Sequence, residues 1–302
     1  MNDTDPTADP PTTGADATEA DGAGDADAAD ATEAARSPVL LVRENREYLL
    51  QPGERMETDL GILRVPEDVQ PGDTVETHLE TAFVVRRLRG PDLFHHFERT
   101  GAPMVPRDIG LVLGETGAST GDRVLDAGTG TGVLAAYLAR TGAEVLTYEQ
   151  DPEFADVARE NMAMAGIADA VEVRTGDVTD DLDALVDGSD DVAPARGFDV
   201  ITLDTADAPT VAARADELLV PGGYLAMYVP FVEGSREAAL AAEEAGLVDV
   251  TTHETIQREF SYGERGSRPD TAPVGHTGFL TVARAPDAPN LVDDSTETTD
   301  GD

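Results

Sequence analysis

Nine residues, Val124-Leu-Asp-Ala-Gly-Thr-Gly-Thr-Gly132, constrain the fold of this 302-residue chain more than any other segment. An apolar run passes into three alternate glycines, and Val133 to Arg140 then carries apolar residues at helical spacing. A strand, a glycine turn and a helix in that order form the ligand-facing turn of a doubly wound α/β sheet. Lacking a Cβ, glycine takes positive φ at little cost and lets the backbone approach a ligand closely. The spacing selects among ligands. The dinucleotide fingerprint G-x-G-x-x-G would place its third glycine at position 133, where Val133 stands, whereas Gly128, Gly130 and Gly132 give G-x-G-x-G, which favours S-adenosylmethionine. A tight turn with no ligand is the competing explanation of the glycines alone.

The downstream sequence continues the pattern. Ala143 to Tyr148 reads as a second strand ending at Glu149, an acid placed to accept hydrogen bonds from two ribose hydroxyls. Asp151 and Pro152 form an N-cap and first turn for a helix through Met164. A third strand, Ala170 to Thr175, ends at Gly176-Asp177, where an acid can accept from the exocyclic amine of adenine. Singly, Glu149 or Asp177 reads as a solvated surface acid. Each at the end of a successive strand after the glycine turn, they read as cofactor ligands.

Charge narrows the setting. The net charge is −40, and all 21 basic residues are Arg. Ten acids against one Arg lie in residues 1–37, and six acids with no base lie in 286–302, but the intervening core is still very acidic. Repulsion within it acts over a Debye length of roughly 10 Å at 0.1 M salt and about 3 Å at 1 M. The absence of Lys points to a cytoplasm rich in salt, as in halophilic archaea, rather than to an ordinary acidic protein that avoids nucleic acid. With no Cys there is neither a disulfide framework nor a thiolate nucleophile. The five His form no metal-ligand spacing, and no metal is expected. No apolar run approaches the ~20 residues of a membrane span, and the N-terminus lacks a basic-then-apolar signal pattern, so a cytoplasmic location without membrane attachment is expected.

Composition divides the chain into an acidic tail (1–37) with too few large apolar side chains to order itself, a small β domain (38–90), a larger Rossmann-like α/β domain (91–285) and a second acidic tail (286–302). The small domain is expected to hold strands at Val39–Arg43, Glu47–Leu50, Gly61–Val65 and near Thr81–Val85, with turns at Gln51-Pro-Gly53 and Gln70-Pro-Gly-Asp73. A helix from Pro106 to Leu113 precedes the glycine turn. A fourth strand, Phe198 to Leu203, ends at Asp204; Val220 to Val229 supplies a turn and a fifth strand, followed by a helix near Ser235–Ala245. An interrupted strand from Val248 to Phe260 and another from Thr277 to Ala283 are expected to close the sheet.

Four segments resemble the TrmI-type tRNA adenine-N1 methyltransferases: Val105-Pro-Arg-Asp-Ile-Gly-Leu111, Val124 to Gly132, Leu203-Asp-Thr-Ala-Asp-Ala-Pro209, and Arg268-Pro-Asp followed by Val274-Gly-His-Thr-Gly-Phe-Leu280. The likeness covers about residues 38–285, and the last segment distinguishes it best. Family members often carry Glu at the position of Asp126 and continue the fourth-strand motif with Pro or Trp, where this chain has Thr205-Ala-Asp-Ala. The resemblance implies a small β domain joined to a Rossmann-like S-adenosylmethionine-dependent methyltransferase sheet, a homotetramer, and methylation of adenine N1 in the tRNA T-loop at positions 57 and 58. It implies a cofactor site of Asp126, Gly128, Gly130, Thr131, Gly132, Val133, Leu134, Glu149, Asp177 and Asp204, with Asp204 also catalytic. Asp207 could share that role, and Asp204 could instead cap the helix near Pro209. Candidate RNA contacts are Arg86, Arg87, Arg89, Arg265 and Arg268, which read equally as partners of nearby acids. His276 reads as a packing or subunit-contact residue. An isoaspartyl-type methyltransferase and a catalytically silent RNA-binding subunit are the competing functions.

Overall fold

The computed structural model describes residues 38–188, 197–271 and 275–287. The N-terminal acidic tail, nearly all of the C-terminal one and Val274 lie outside them. The chain opens with six short strands: β1 (Val39–Arg43), β2 (Arg46–Leu50), β3 (Arg55–Thr58), β4 (Gly61–Arg64), β5 (Thr74–Glu76) and β6 (Ala82–Arg87). β1 pairs antiparallel with both β2 and β6 in a sheet of order β2-β1-β6-β5, while β3 and β4 form a separate hairpin. Leu41, Leu63 and Phe83 are fully buried in a core belonging to these strands. β3 and β5 were not expected. Each is three or four residues long and mostly polar, so no apolar run announces it.

Two helices, α1 (Gly90–His96) and α2 (Pro106–Thr116), lead into β7 (Arg123–Ala127), α3 (Val133–Thr141), β8 (Glu144–Glu149), α4 (Pro152–Met164), β9 (Val171–Thr175), α5 (Leu182–Asp187) and β10 (Phe198–Leu203). There follow α6 (Ala208–Ala212), α7 (Ala215–Leu218), β11 (Leu219–Val229), α8 (Val232–Glu244), β12 (Val248–Glu254), β13 (Phe260–Gly263), β14 (Gly266–Pro269) and β15 (Phe279–Arg284). Seven strands form one sheet of order β12-β15-β11-β10-β7-β8-β9, in which β15 alone runs antiparallel to its neighbours. α1 to α4 cover one face and α5 to α8 the other, each with its own core. The central strands are therefore buried on both sides, which is why they read as continuous apolar runs.

Two expectations need correction. The strand expected over Val248–Phe260 ends at Glu254, because its partner β15 begins at Phe279, directly opposite Glu254, and offers no ladder beyond. Phe260–Gly263 instead pairs with Gly266–Pro269, in a hairpin apart from the main sheet. The turn expected at Val220-Pro-Gly-Gly223 is absorbed as an irregularity inside β11, where pairing with β10 jumps from Phe198↔Leu219 to Val200↔Tyr224.

A buried carboxylate sets the level of the three central strands. Asp126 on β7 lies in register with Thr147 on β8 and Thr202 on β10. Thr147 donates its hydroxyl to one carboxylate oxygen at 2.6 Å and Thr202 to the other at 2.5 Å. Asp126 is only 2% exposed, and burial raises its pKa while the two hydroxyls work against that shift. Removing a donor from a buried acceptor costs about 1–3 kcal/mol, more when the acceptor is charged. Thr202→Val, which keeps the shape and deletes the hydroxyl, is expected to destabilise the protein by at least ~1 kcal/mol. A lower urea midpoint with an unchanged slope is the result that bears this out.

Candidate active site

The order of the sheet puts its switch point between β7 and β10, whose onward connections leave in opposite directions. Ligands bind at the carboxyl ends of such strands. Here the two ends touch: the Asp204 amide donates to the Ala127 carbonyl at 2.8 Å, and a Cβ added at Gly128 would lie 2.2 Å from the Asp204 carbonyl oxygen. Gly128 also holds a φ of 92°, so both space and conformation demand glycine.

From this junction the turn forms one wall of a cleft of about 80 Å3 lined by Gly128 to Thr131, Val133, Leu134 and Asp204. Residues Thr100 to Met104 and Phe154 form the rest of its lining. Gly132 precedes α3 with a φ of 83° and serves as its N-cap. Asp126 lies beneath the turn with both oxygens engaged, so it supports the loop from below. Glu149, at the end of β8, accepts from the Gly130 amide at 2.8 Å and from the Asp151 amide at 3.1 Å. A carboxylate has about four acceptor positions, so Glu149 keeps capacity for a ligand. Asp177 accepts from the amide and hydroxyl of Thr179, and Gln150 donates both to Asp177 at 3.1 Å and to Asp207 at 2.9 Å.

The lining of the cleft suits the polar groups of a ligand such as S-adenosylmethionine. Thr100 and Thr131 each bury a hydroxyl with no hydrogen-bond partner among the described residues, and both line it. A Cβ on Gly130 would meet only the Gly128 carbonyl, at 4.0 Å, so the crest of the turn is open.

Asp204 also borders a second cavity, of about 510 Å3, shared with Tyr228, Pro230, Phe231, Pro209 and Glu233. Among the described residues its carboxylate accepts no hydrogen bond, and Asp207, not Asp204, precedes α6. Asp204 is exposed to solvent at the mouths of the clefts, while protein atoms crowd the rest of its surroundings. Burial, and then the charge of Asp126, push its carboxyl up to about 7. Behind the second cavity Tyr228 donates to buried Asp108 at 2.9 Å, as does the Thr277 hydroxyl at 2.6 Å. Burial first, with Asp108 and Asp204 adding to it, pushes the Tyr228 phenol up to about 12.

The sequence pointed to the turn, to the strand-end acids Glu149 and Asp177, and to Asp204. It did not point to Thr100–Met104, Gln150, Phe154, Tyr228 or Phe231. Of these, Phe154 carried a usable signal, since it sits in the first turn of the helix that follows Glu149. Arg86, Arg87 and Arg89 are exposed at the end of β6, Arg86 beside Glu47 at 3.6 Å, and Arg265 and Arg268 are exposed on the β13–β14 hairpin. None of the five lines either cavity.

Residues 124–223 match the family described as a methyltransferase domain. The tRNA (adenine(57)-N(1)/adenine(58)-N(1))-methyltransferase TrmI of Methanocaldococcus jannaschii is 33% identical over 83% of this chain and 95% of its own length. In fold, the chain is similar to a SAM-dependent O-methyltransferase of Thermotoga maritima, with a TM-score of 0.65, 23% identity, and coverage of 83% of this chain and 94% of that one. It is similar also to the tRNA (m1A58) methyltransferase TrmI of Aquifex aeolicus, with a TM-score of 0.59, 21% identity, and coverage of 82% and 96%.

Gly128→Ala is expected to drive the ends of β7 and β10 apart and weaken S-adenosylmethionine binding at least ~10-fold, since even small misplacements in a built site are costly. Calorimetry of the variant would read this directly, and an unchanged Kd would mean that the two strand ends yield freely.

Proposed function

The chain belongs to the TrmI family of tRNA (adenine-N1)-methyltransferases, and on that premise we propose that it transfers a methyl group from S-adenosylmethionine to N1 of a T-loop adenine, at position 57, 58 or both. The observation that carries the reading is Asp204, an unpartnered carboxylate standing where the two cavities meet. When bound in the smaller cleft, S-adenosylmethionine supplies an electrophilic methyl on a sulfonium. The residues for it are the turn from Gly128 to Leu134, with Glu149 toward the ribose, Asp177 toward the adenine edge and Asp126 holding the turn in place.

Adenine N1 is neutral and its lone pair lies in the ring plane, so it attacks without prior deprotonation. Positive charge then grows on the ring. Asp204 accepts from the N6 amine, which aligns N1 with the methyl and stabilises the developing charge. Because N1 is on the pairing edge, the base must leave its stack to enter the larger cavity. Exposed Arg86, Arg87, Arg89, Arg265 and Arg268 supply phosphate contacts on an otherwise acidic surface.

The same proposal extends to the setting. Residues 38–90 form the small β domain and 91–285 the catalytic one. Four copies assemble, a reading supported by Phe260 and Tyr262, which stand 54% and 81% exposed on the β13–β14 hairpin. The protein works in a salt-rich cytoplasm, supported by the charge of −40 carried without a single Lys. No helix among the described residues is long and apolar enough to cross a membrane.

Methyl transfer to an unmodified tRNA transcript in molar KCl, with nucleoside analysis, tests the reaction; failure to find 1-methyladenosine would overturn it. Because the carboxylate is the form that accepts from N6, kcat is expected to rise with pH through about 7 and then level off. Asp204→Asn is expected to lower kcat about 100-fold or more, to remove that pH dependence, and to leave cofactor binding largely intact.

A further inference from the structure

Phe231 stands between the end of β11 and the start of α8 with 70% of its surface exposed. A lone exposed phenylalanine is ordinary on a protein surface. This one lines the larger cavity, on which the unpartnered Asp204 carboxylate also stands. Three acids, Asp204, Glu233 and Glu237, and no basic residue line that cavity, while Val229, Pro209 and Ala238 give it apolar surface. Such a lining repels a phosphate and accepts a flat group with N–H donors on its edge. Its volume of about 510 Å3 falls within the roughly 300–1,000 Å3 usual for small-molecule sites.

The backbone on either side of the ring is fixed. The Phe231 carbonyl accepts from the Ser235 amide at 3.2 Å. The Pro230 carbonyl accepts from His276 Nε2 at 2.8 Å, and His276 Nδ1 lies 3.0 Å from a Glu254 carboxylate oxygen, with the imidazole packed 4.9 Å from the Phe279 ring. Both neighbours of the imidazole are acceptors, so the doubly protonated ring satisfies both contacts at once. The Pro230 carbonyl first, then Glu254, raise the His276 pKa, with Arg107 opposing. His276 thereby ties the end of β12 to the segment that carries Phe231.

We propose that Phe231 is the surface on which the acceptor adenine stacks after leaving the RNA helix, with Asp204 reading the base edge, and that His276 is a positioning residue that holds Phe231 through the Pro230 carbonyl. The inference rests on the adenine-N1 reading above. Exposed as it is, Phe231 contributes little to the protein's own core, so its removal is a clean test.

The experiment measures 1-methyladenosine formation on an unmodified tRNA transcript by the full chain and by Phe231→Ala, Phe231→Tyr, His276→Ala and the Phe231→Ala/His276→Ala pair, with S-adenosylmethionine Kd measured by calorimetry on each. Phe231→Ala is expected to raise KM for tRNA about tenfold or more with cofactor Kd unchanged, and Phe231→Tyr to stay near the parent. His276→Ala is expected to raise the same KM by a smaller factor, and the pair to be no worse than Phe231→Ala alone, because both act through one ring. A parent-like KM for Phe231→Ala overturns the stacking role, and fully additive defects in the pair overturn the positioning role. If the parent itself forms no 1-methyladenosine, the adenine-N1 reading fails and this inference falls with it; methylation by the parent with an indifferent Phe231→Ala overturns this inference alone.

Discussion

Everything at the site depends on the carboxylate of Asp126 lying level with a threonine on each side. Parallel strands can slide relative to one another by a residue pair without exposing an apolar face, since both faces are buried. A buried anion with two oxygens and a donor on each neighbour removes that freedom. With β7, β8 and β10 held in one register, Gly128, Glu149 and Asp204 emerge at one level, so that on the proposed reading the turn, the acid for the ribose and the acid for the acceptor become parts of one site.

The same carboxylate also acts at a distance. Its charge is one of the two causes that hold Asp204 near the midpoint of its titration, the other and larger being burial. A group that fixes geometry therefore also sets electrostatics. Replacing Asp126 by a neutral residue of similar shape would keep the hydroxyls close and still change the proton affinity of a side chain on the neighbouring strand.

What the sequence made legible was whatever is decided locally. The central strands announced themselves because residues such as Leu125 and Ile201 are apolar on both faces of the sheet, and the glycine turn because its spacing is incompatible with a dinucleotide. Asp204 was readable from its position after the fourth strand. The second cavity was not. Its walls come from segments whose proximity is fixed only by the finished topology: Tyr228 meets Asp108 across 120 residues of sequence, and Thr277 meets it across 169. Nor could the residues after Glu254 be read correctly. Ile256 and Phe260 suit a strand, but whether a strand continues depends on a partner, and β15 ends its pairing there.

Buried Asp108 joins three distant parts of the chain, namely the helix α2, the end of β11 through Tyr228, and the residues before β15 through Thr277. The wall of the larger cavity is thus braced from behind and has little room to adapt. On the proposed reading, the deformation needed for reaction falls almost wholly on the RNA. An enzyme built this way discriminates by how readily a nucleotide can be unstacked as well as by which base it carries, so the mechanical looseness of the T-loop becomes part of the recognition signal.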